Sequence, residues 1–360
     1  IVTLLSSFGT LVGIGGSIWL SMCLGQKNEK RASQILYNSF VMLVVLSICL
    51  TFGFILLKHN LIYWFGGSDA LYPYANTYLT IYTLGTFFAL MSIGLNYFIT
   101  GQGYATIAML SVCIGAITNI IFDFILIRTL KIGVAGAAIG TVVAQFISCM
   151  FVLCFLRFKS KIKLHKEELS IEKMKHIVKL GFSPFLIIAS DSIILIVMNM
   201  MLQKYGGNMG DVYISAITVA QSYFLLITGP LLGISSGTQP IFAYHFGSQN
   251  LKKIKEAFKI VISFAFLFCL VMFIISMCYS NVFVAMFTND AMTMPIADRA
   301  IKIFCLGILM MSIQYVLVDG ITGLSNVKLS LFLSLNRKLM YLGCTCLLPA
   351  FLGVSNIFYA

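Results

Sequence analysis

Charge is scarce in this sequence. Only 10% of its 360 residues are charged, where soluble domains carry about 25%. Apolar residues make up 59% and the mean hydropathy is +0.97, which excludes an ordinary soluble protein. Histidine occurs four times, at His59, His165, His176 and His245, each in a loop or at the edge of an apolar run. None is placed for a proton relay inside a span. No nucleophile–histidine–acid arrangement and no P-loop is present, and Gly101-x-Gly103 lacks the third glycine and the strand of a dinucleotide site. The ten cysteines include no CxxC pair and no Cys/His metal spacing. Cys344-x-Cys346 is too close for an ordinary disulfide and lies within a span, so the cysteines read as small core residues. An enzyme, a metal site and a bound organic cofactor are therefore not expected.

What the sequence does have is long apolar runs. Ten are long enough to cross a bilayer at about 20 residues each: 1–24, 34–57, 75–100, 105–127, 134–156, 181–203, 213–238, 257–279, 299–323 and 328–354. Barrel strands would instead show short alternating segments, so the fold class is an all-α polytopic membrane protein. The net charge of +12 would suit nucleic acid, but the basic residues cluster at span ends. They therefore speak for topology and lipid head groups, with membrane lipid and not nucleic acid as the partner. Lys27, Lys30 and Arg31, the stretch 157–179, Lys252 to Lys259, and Lys328, Arg337 and Lys338 carry most of the positive charge. That side is cytoplasmic by the positive-inside rule.

The longest polar stretch, 158–180, reads as a cytoplasmic linker with a surface helix over 170–179. It separates an N-terminal lobe, 1–157, from a C-terminal lobe, 181–360. An internal repeat relates the two. Gly15 and Gly237 stand 222 residues apart, and Gly25-x-x-Asn28 recurs at the same offset as Gly247-x-x-Asn250. Each of these turns is followed by basic residues, Lys30-Arg31 and Lys252-Lys253. Ile99-Thr100-Gly101 recurs as Ile321-Thr322-Gly323, and Gly133-Val134 as Gly353-Val354 after a slip of two. Duplicated bundles build many transporters. The repeat leads us to expect an opening span before residue 1 and a closing span after residue 360, giving six spans per lobe.

Ionisable residues inside spans are functional until shown otherwise, since a mid-span carboxylate costs about 2.5–3.5 kcal/mol on insertion scales. Asp123 lies within the run 111–127, with Asn119 one helical turn earlier on the same face. An amide and a carboxyl together can hold a proton or a small hard cation. Asp191 heads a stripe with Leu195 and Asn199, suited to a cationic substrate. Asp319 lies one turn after Tyr315, toward the cytoplasmic end of its span, in a gating or packing role. Pro230 and Pro240 stand among Gly229, Gly233 and Gly237, so that helix is expected to bend or break; Pro184 is expected in a tolerant first turn. Gln221, Tyr223, Phe224, Tyr82, Phe87 and Phe88 are candidate cavity residues, because aromatics suit lipophilic cations.

Taken together, the sequence resembles the multidrug and toxic compound extrusion (MATE) family in its bacterial branch. The resemblance rests on Gly13-Ile-Gly-Gly-Ser17 through Gly25-Gln-Lys-Asn28, and on Asn119-Ile-Ile-Phe-Asp123. It rests further on Gly133-Val-Ala-Gly-Ala-Ala-Ile-Gly-Thr141, and on Gly237-Thr-Gln-Pro-Ile241 through Phe246-Gly247. It implies two pseudo-symmetric six-helix lobes around a central cavity, with the first and last helices absent from this stretch of sequence. It also implies antiport of organic, mainly cationic compounds against H+ or Na+ across the bacterial inner membrane, by a monomer. The family's first-lobe cation site maps onto Asn119, Asp123 and Thr141. The runner-up is a flippase for a lipid-linked precursor, which would need a cationic cavity, while these spans contain acids and almost no interior lysine or arginine.

Overall fold

The described parts of all ten apolar segments are helical in the computed structural model, which describes residues 2–64, 72–206, 210–288, 290, 292–352 and 358. Six of the described helices are long and apolar enough to cross a membrane, or eight if each of two bent pairs counts as one span. The order is α1 (Val2–Gly25), α2 (Glu29–Trp64), α3 (Tyr72–Leu84), α4 (Thr86–Gly101), α5 (Ala105–Asp123) and α6 (Val134–Cys154). It continues with α7 (Ile171–Gly206), α8 (Gly210–Gly247), α9 (Leu251–Phe287), α10 (Thr293–Leu306), α11 (Ile308–Gly323) and α12 (Val327–Leu352). Single π-helical turns, Phe124–Thr129 and Phe155–Lys159, extend α5 and α6. By contacts the chain divides into two compact units, Ile1–Ala189 with Ala243–Gln249, and Ser190–Phe242 with Asn250–Ala360.

In the first unit α1 is the central helix. Glycines and serines stand among its buried large side chains, and at the glycines neighbouring helices approach closely, as small residues allow inside membranes. A Cβ on Gly13 would come within 2.7 Å of the Gly94 carbonyl, and one on Gly16 within 2.3 Å of the Phe98 ring. Ser21 Oγ donates to the carbonyl of Gly101 at 2.8 Å, tying α1 to the end of α4. In the second unit α8, α9 and α11 enclose a core that includes Phe242, Ile254, Val261 and Val316.

The duplication continues into the backbone. The α3–α4 pair bends by 57° at Gly85 and the α10–α11 pair by 50° at Gly307, and these glycines also stand 222 residues apart. Left-handed residues fall at Lys27 and Gln249, and again at Gly103 and Ser325. Asn28 Oδ1 accepts the Arg31 amide at 3.0 Å and Asn250 Oδ1 the Lys253 amide at 3.1 Å, so both turns are closed by the same N-cap. A Cβ on Gly25 would meet the Tyr244 carbonyl at 2.1 Å, and one on Gly247 the Met22 carbonyl at 2.2 Å. These four residues are two equivalent pairs touching reciprocally, as twofold-related surfaces do. The proposed match of Gly133-Val134 to Gly353-Val354 lies outside the described residues.

Three expectations change. The linker helix does not stop before the seventh span: α7 runs continuously from Ile171 to Gly206. Gly181 does not end it, because that glycine is needed for contact, its missing Cβ lying 1.8 Å from the Leu11 carbonyl. Pro184 consequently sits well inside α7 rather than in its first turn. Lastly, α8 is unbroken from Gly210 to Gly247 through both Pro230 and Pro240.

Candidate functional site

The first-lobe polar group is assembled by α5 and α6, which pack along one another. Glycines at the crossing permit this: Gly115 lies against Ser148, and Gly136 against Leu126. Asn119 on α5 reaches across, its Nδ2 donating to Thr141 Oγ1 at 3.4 Å, while the Thr141 hydroxyl donates to the Ala137 carbonyl at 2.9 Å. Asp123 lies one turn further on, at the junction where α5 passes into its π-helical turn. Such widened turns concentrate at functional sites. The carboxylate is directed at Gly140 on α6, where a Cβ would stand 2.5 Å from Oδ1. Asp123 Oδ1 is buried and has no hydrogen-bond partner.

The structure thus brings Asn119 and Thr141 into contact and sets Asp123 beside them in a niche that only glycine leaves open. An unpartnered carboxylate oxygen in apolar surroundings is costly. A proton or a small hard cation with oxygen ligands relieves that cost. A polar row continues along α6. Gln145, one turn beyond Thr141, donates Nε2 to the Tyr82 hydroxyl at 3.1 Å. Ser148 bonds the Ser111 carbonyl at 3.1 Å, and Ser111 in turn bonds Asn96 Oδ1 at 2.9 Å. Among the described residues no group of three or more His, Cys, Asp or Glu is arranged to hold a metal ion.

Asp319 is arranged differently. Its Oδ1 accepts Gln239 Nε2 at 2.8 Å and its Oδ2 is in close contact with Ser235 Oγ, so both oxygens are engaged by α8. Asp191 is 63% exposed along its side chain and ion-paired with Lys338 on α12 at 2.7 Å, whose own side chain is only 7% exposed. Lys338 Nζ also donates to Ser190 Oγ at 3.2 Å. The neighbouring Arg337 lies 4.8 Å over the Tyr315 ring. This corrects two readings of the sequence. Arg337 and Lys338 are not loop residues, since α12 runs straight through them, and one span does carry a buried lysine. The pairing with Asp191 is what makes that burial tolerable.

The aromatic candidates are mostly in cores. Tyr82 is 1% exposed among Leu5, Phe54 and Leu61, so it does not line an open surface. Tyr223 is buried, its hydroxyl bonded to Ser276 Oγ at 2.9 Å and its ring edge-on to Phe283. Phe88 is half-buried between Phe87 and Phe146, and Phe224 packs toward Phe304. Gln221 is half-buried near the Met198 sulfur at 3.8 Å. The side chain of Asn199, and with it the stripe through Leu195, lies outside the described residues. Gly140, Gln145, Gln239 and Lys338 are the participants that sequence reasoning missed. Gly140 was visible only as part of a glycine-rich motif, with nothing to say what it faced.

Comparison with known proteins agrees with this architecture. The MatE family model matches residues 1–125 and 188–340, which includes Asn119 and Asp123 but not Thr141. The chain is 24% identical to the multidrug export protein MepA of Staphylococcus haemolyticus, over all of the chain and 79% of that protein. It is 26% identical to MepA of Staphylococcus saprophyticus, over 88% of the chain and 69% of that protein. Among solved structures, a MOP superfamily transporter from Pyrococcus furiosus superposes with a TM-score of 0.93 at 22% identity, covering 99% of this chain and 80% of that one. An outward-facing MATE family multidrug resistance transporter also scores 0.93, at 21% identity and with the same coverage. The matched family model spans well over half of the sequence, and the chain therefore belongs to the multidrug and toxic compound extrusion (MATE) family of multi-pass membrane transport proteins.

Proposed function

We propose that the protein is a secondary multidrug antiporter of the cytoplasmic membrane, exporting small organic, mainly cationic compounds in exchange for inward H+ or Na+. Asp123 carries the coupling ion, with Asn119 and Thr141 supplying neutral oxygens. The observation that carries this reading is the buried, unpartnered Oδ1 of Asp123 beside Gly140. A carboxylate left short of donors changes its environment sharply when it gains a proton or Na+, and a coupled carrier needs such a switch. Asp319, with both oxygens bonded, and Asp191, neutralised by Lys338, lack that property. The repeat points the same way: the positions equivalent to Asn119 and Asp123 are Tyr341 and Thr345, so the second half has no matching carboxyl.

A flippase for lipid-linked anions would need unbalanced positive charge. Lys338 is the buried cation that could offer it, and Asp191 balances it. The test uses everted vesicles and a fluorescent organic cation under an imposed pH or Na+ gradient. Gradient-driven uptake that disappears in Asp123→Asn supports the antiport, and the effective gradient names the ion. Equal transport by the two proteins would make Asp123 structural. No dye movement by either correctly folded protein would return the lipid-linked anion as the substrate to test.

A further inference from the structure

The first turns of α7 lie over α1 and α2 and border a half-open cavity of about 320 Å3 within the first unit. Its floor is Trp19, buried near the end of α1. Arg31 lies 5.0 Å above the indole and the His176 ring 4.4 Å from it. Lys173, Lys175 and Lys179 complete the walls, with Glu172 as the one opposing charge. Part-buried hydrogen bonds hold the cavity in shape. Asn38 donates to the Glu168 carbonyl at 2.9 Å and accepts the Ser170 amide at 2.9 Å, while Lys173 Nζ reaches Gln34 Oε1 at 2.6 Å. Among the described residues, no ion pair to a carboxylate engages Arg31, Lys173, Lys175 or Lys179. Burial, and after it the charges of Lys179 and Arg31, hold the His176 imidazole below its ordinary pKa.

We propose that this cavity binds a phosphate-bearing anion, carried by an anionic phospholipid or free in solution, with Arg31, Lys173, Lys175 and Lys179 as its cationic contacts. Four cations around one small cavity repel one another, and an anion relieves that repulsion. Their location is that of lipid head groups, since the loops on this side carry most of the positive charge and are cytoplasmic. Basic recesses between helices on this side of a membrane suit such head groups. A bound phosphate would join α2 and α7 through charge, over the Trp19 floor that α1 provides. The inference is independent of the transported substrate and of Asp123.

The experiment follows the His176 imidazole by NMR in phosphatidylcholine nanodiscs, the signal assigned with His176→Gln. Phosphatidylglycerol is then introduced in one arm and inorganic phosphate in the other. An anion in the cavity favours the imidazolium, so the His176 midpoint rises. His165, outside the cavity and paired with Glu167, serves as the reference for changes not specific to the cavity. Lys175→Gln with Lys179→Gln should weaken the response roughly thirtyfold, at about one tenfold step per 1.4 kcal/mol and about 1 kcal/mol per lysine. Lys253→Gln with Lys255→Gln should leave it unchanged. A response to phosphatidylglycerol beyond that of His165 identifies the lipid as the source; a response to phosphate alone identifies the free anion. Absence of both, or equal loss in the Lys253/Lys255 pair, overturns the proposal.

Discussion

At the scale of single residues, the contrast among the three membrane carboxyls is one of partners. Asp123 Oδ1 has none, both Asp319 oxygens have them, and Asp191 has Lys338. Gly140 is the space that lets Asp123 stay so. Gly140→Ala should therefore displace the carboxylate and impair gradient-driven transport, though less than Asp123→Asn. Gly115→Ala, where the nearest atom is a tolerable 3.5 Å away, should transport normally. Comparing initial rates in the same vesicles decides this, and equal rates for Gly140→Ala and Gly115→Ala would refute a role for the niche. The Asp191–Lys338 pair is asymmetric in burial, 63% against 7% exposed. Asp191→Asn strips the carboxylate from a buried cation and should lower stability by about 1–3 kcal/mol, a range already discounted for the exposed partner. Lys338→Met leaves an aspartate that water can solvate and should cost less. Apparent melting temperatures in detergent test the order, and a more damaging Lys338→Met would reverse the argument.

Helices show a second contrast, between glycines that are crowded and glycines that are not. A Cβ on Gly15 would stand 2.2 Å from the Ile177 carbonyl, whereas Gly229, Gly233 and Gly237 on α8 have nothing within 4 Å. Gly15→Ala and Gly181→Ala should each destabilise by about 1–3 kcal/mol through forced backbone shifts. Gly233→Ala should be neutral or stabilise by about 0.5–1 kcal/mol, as alanine favours the helix. A thermal unfolding series separates these classes; a destabilising Gly233→Ala would mean that α8 relies on that glycine. The sequence shows a glycine in each case. It does not show whether the glycine serves a crossing or a free face, because that depends on which helix lies opposite.

For the whole molecule, the duplication predicts equivalent turns on one side of the membrane. Lys27 and Gln249 share their left-handed turn and their position after Gly25 and Gly247, and the positive-inside rule predicts that both turns are cytoplasmic. Lys30→Cys and Lys252→Cys should thus resist an impermeant maleimide in intact cells and react after lysis, above the background of the unsubstituted protein. Lys131→Cys should react in intact cells. Labelling of Lys30 and Lys252 from opposite sides would contradict the repeat.

Much of this could be read in advance because it depends on short-range or one-dimensional rules. Apolar run length marked out the ten helical segments, and the Gly-x-x-Asn repeat marked the turns that follow α1 and α8. The paired bends at Gly85 and Gly307 keep the offset of 222 residues, but in the sequence alone 75–100 and 299–323 read as single spans and neither glycine stands out. Asn119, Asp123 and Thr141 were legible as polar residues in apolar runs. What tertiary packing alone decided was their partners. The contact of Asn119 with Thr141, the niche at Gly140, the engagement of Asp319 by Ser235 and Gln239, and the pairing of Asp191 with Lys338 all join residues 16 or more positions apart. The sequence carries the type and period of each side chain along its own helix. Whether a membrane-embedded carboxyl is satisfied depends on the facing helix, and only the folded chain puts that helix in place.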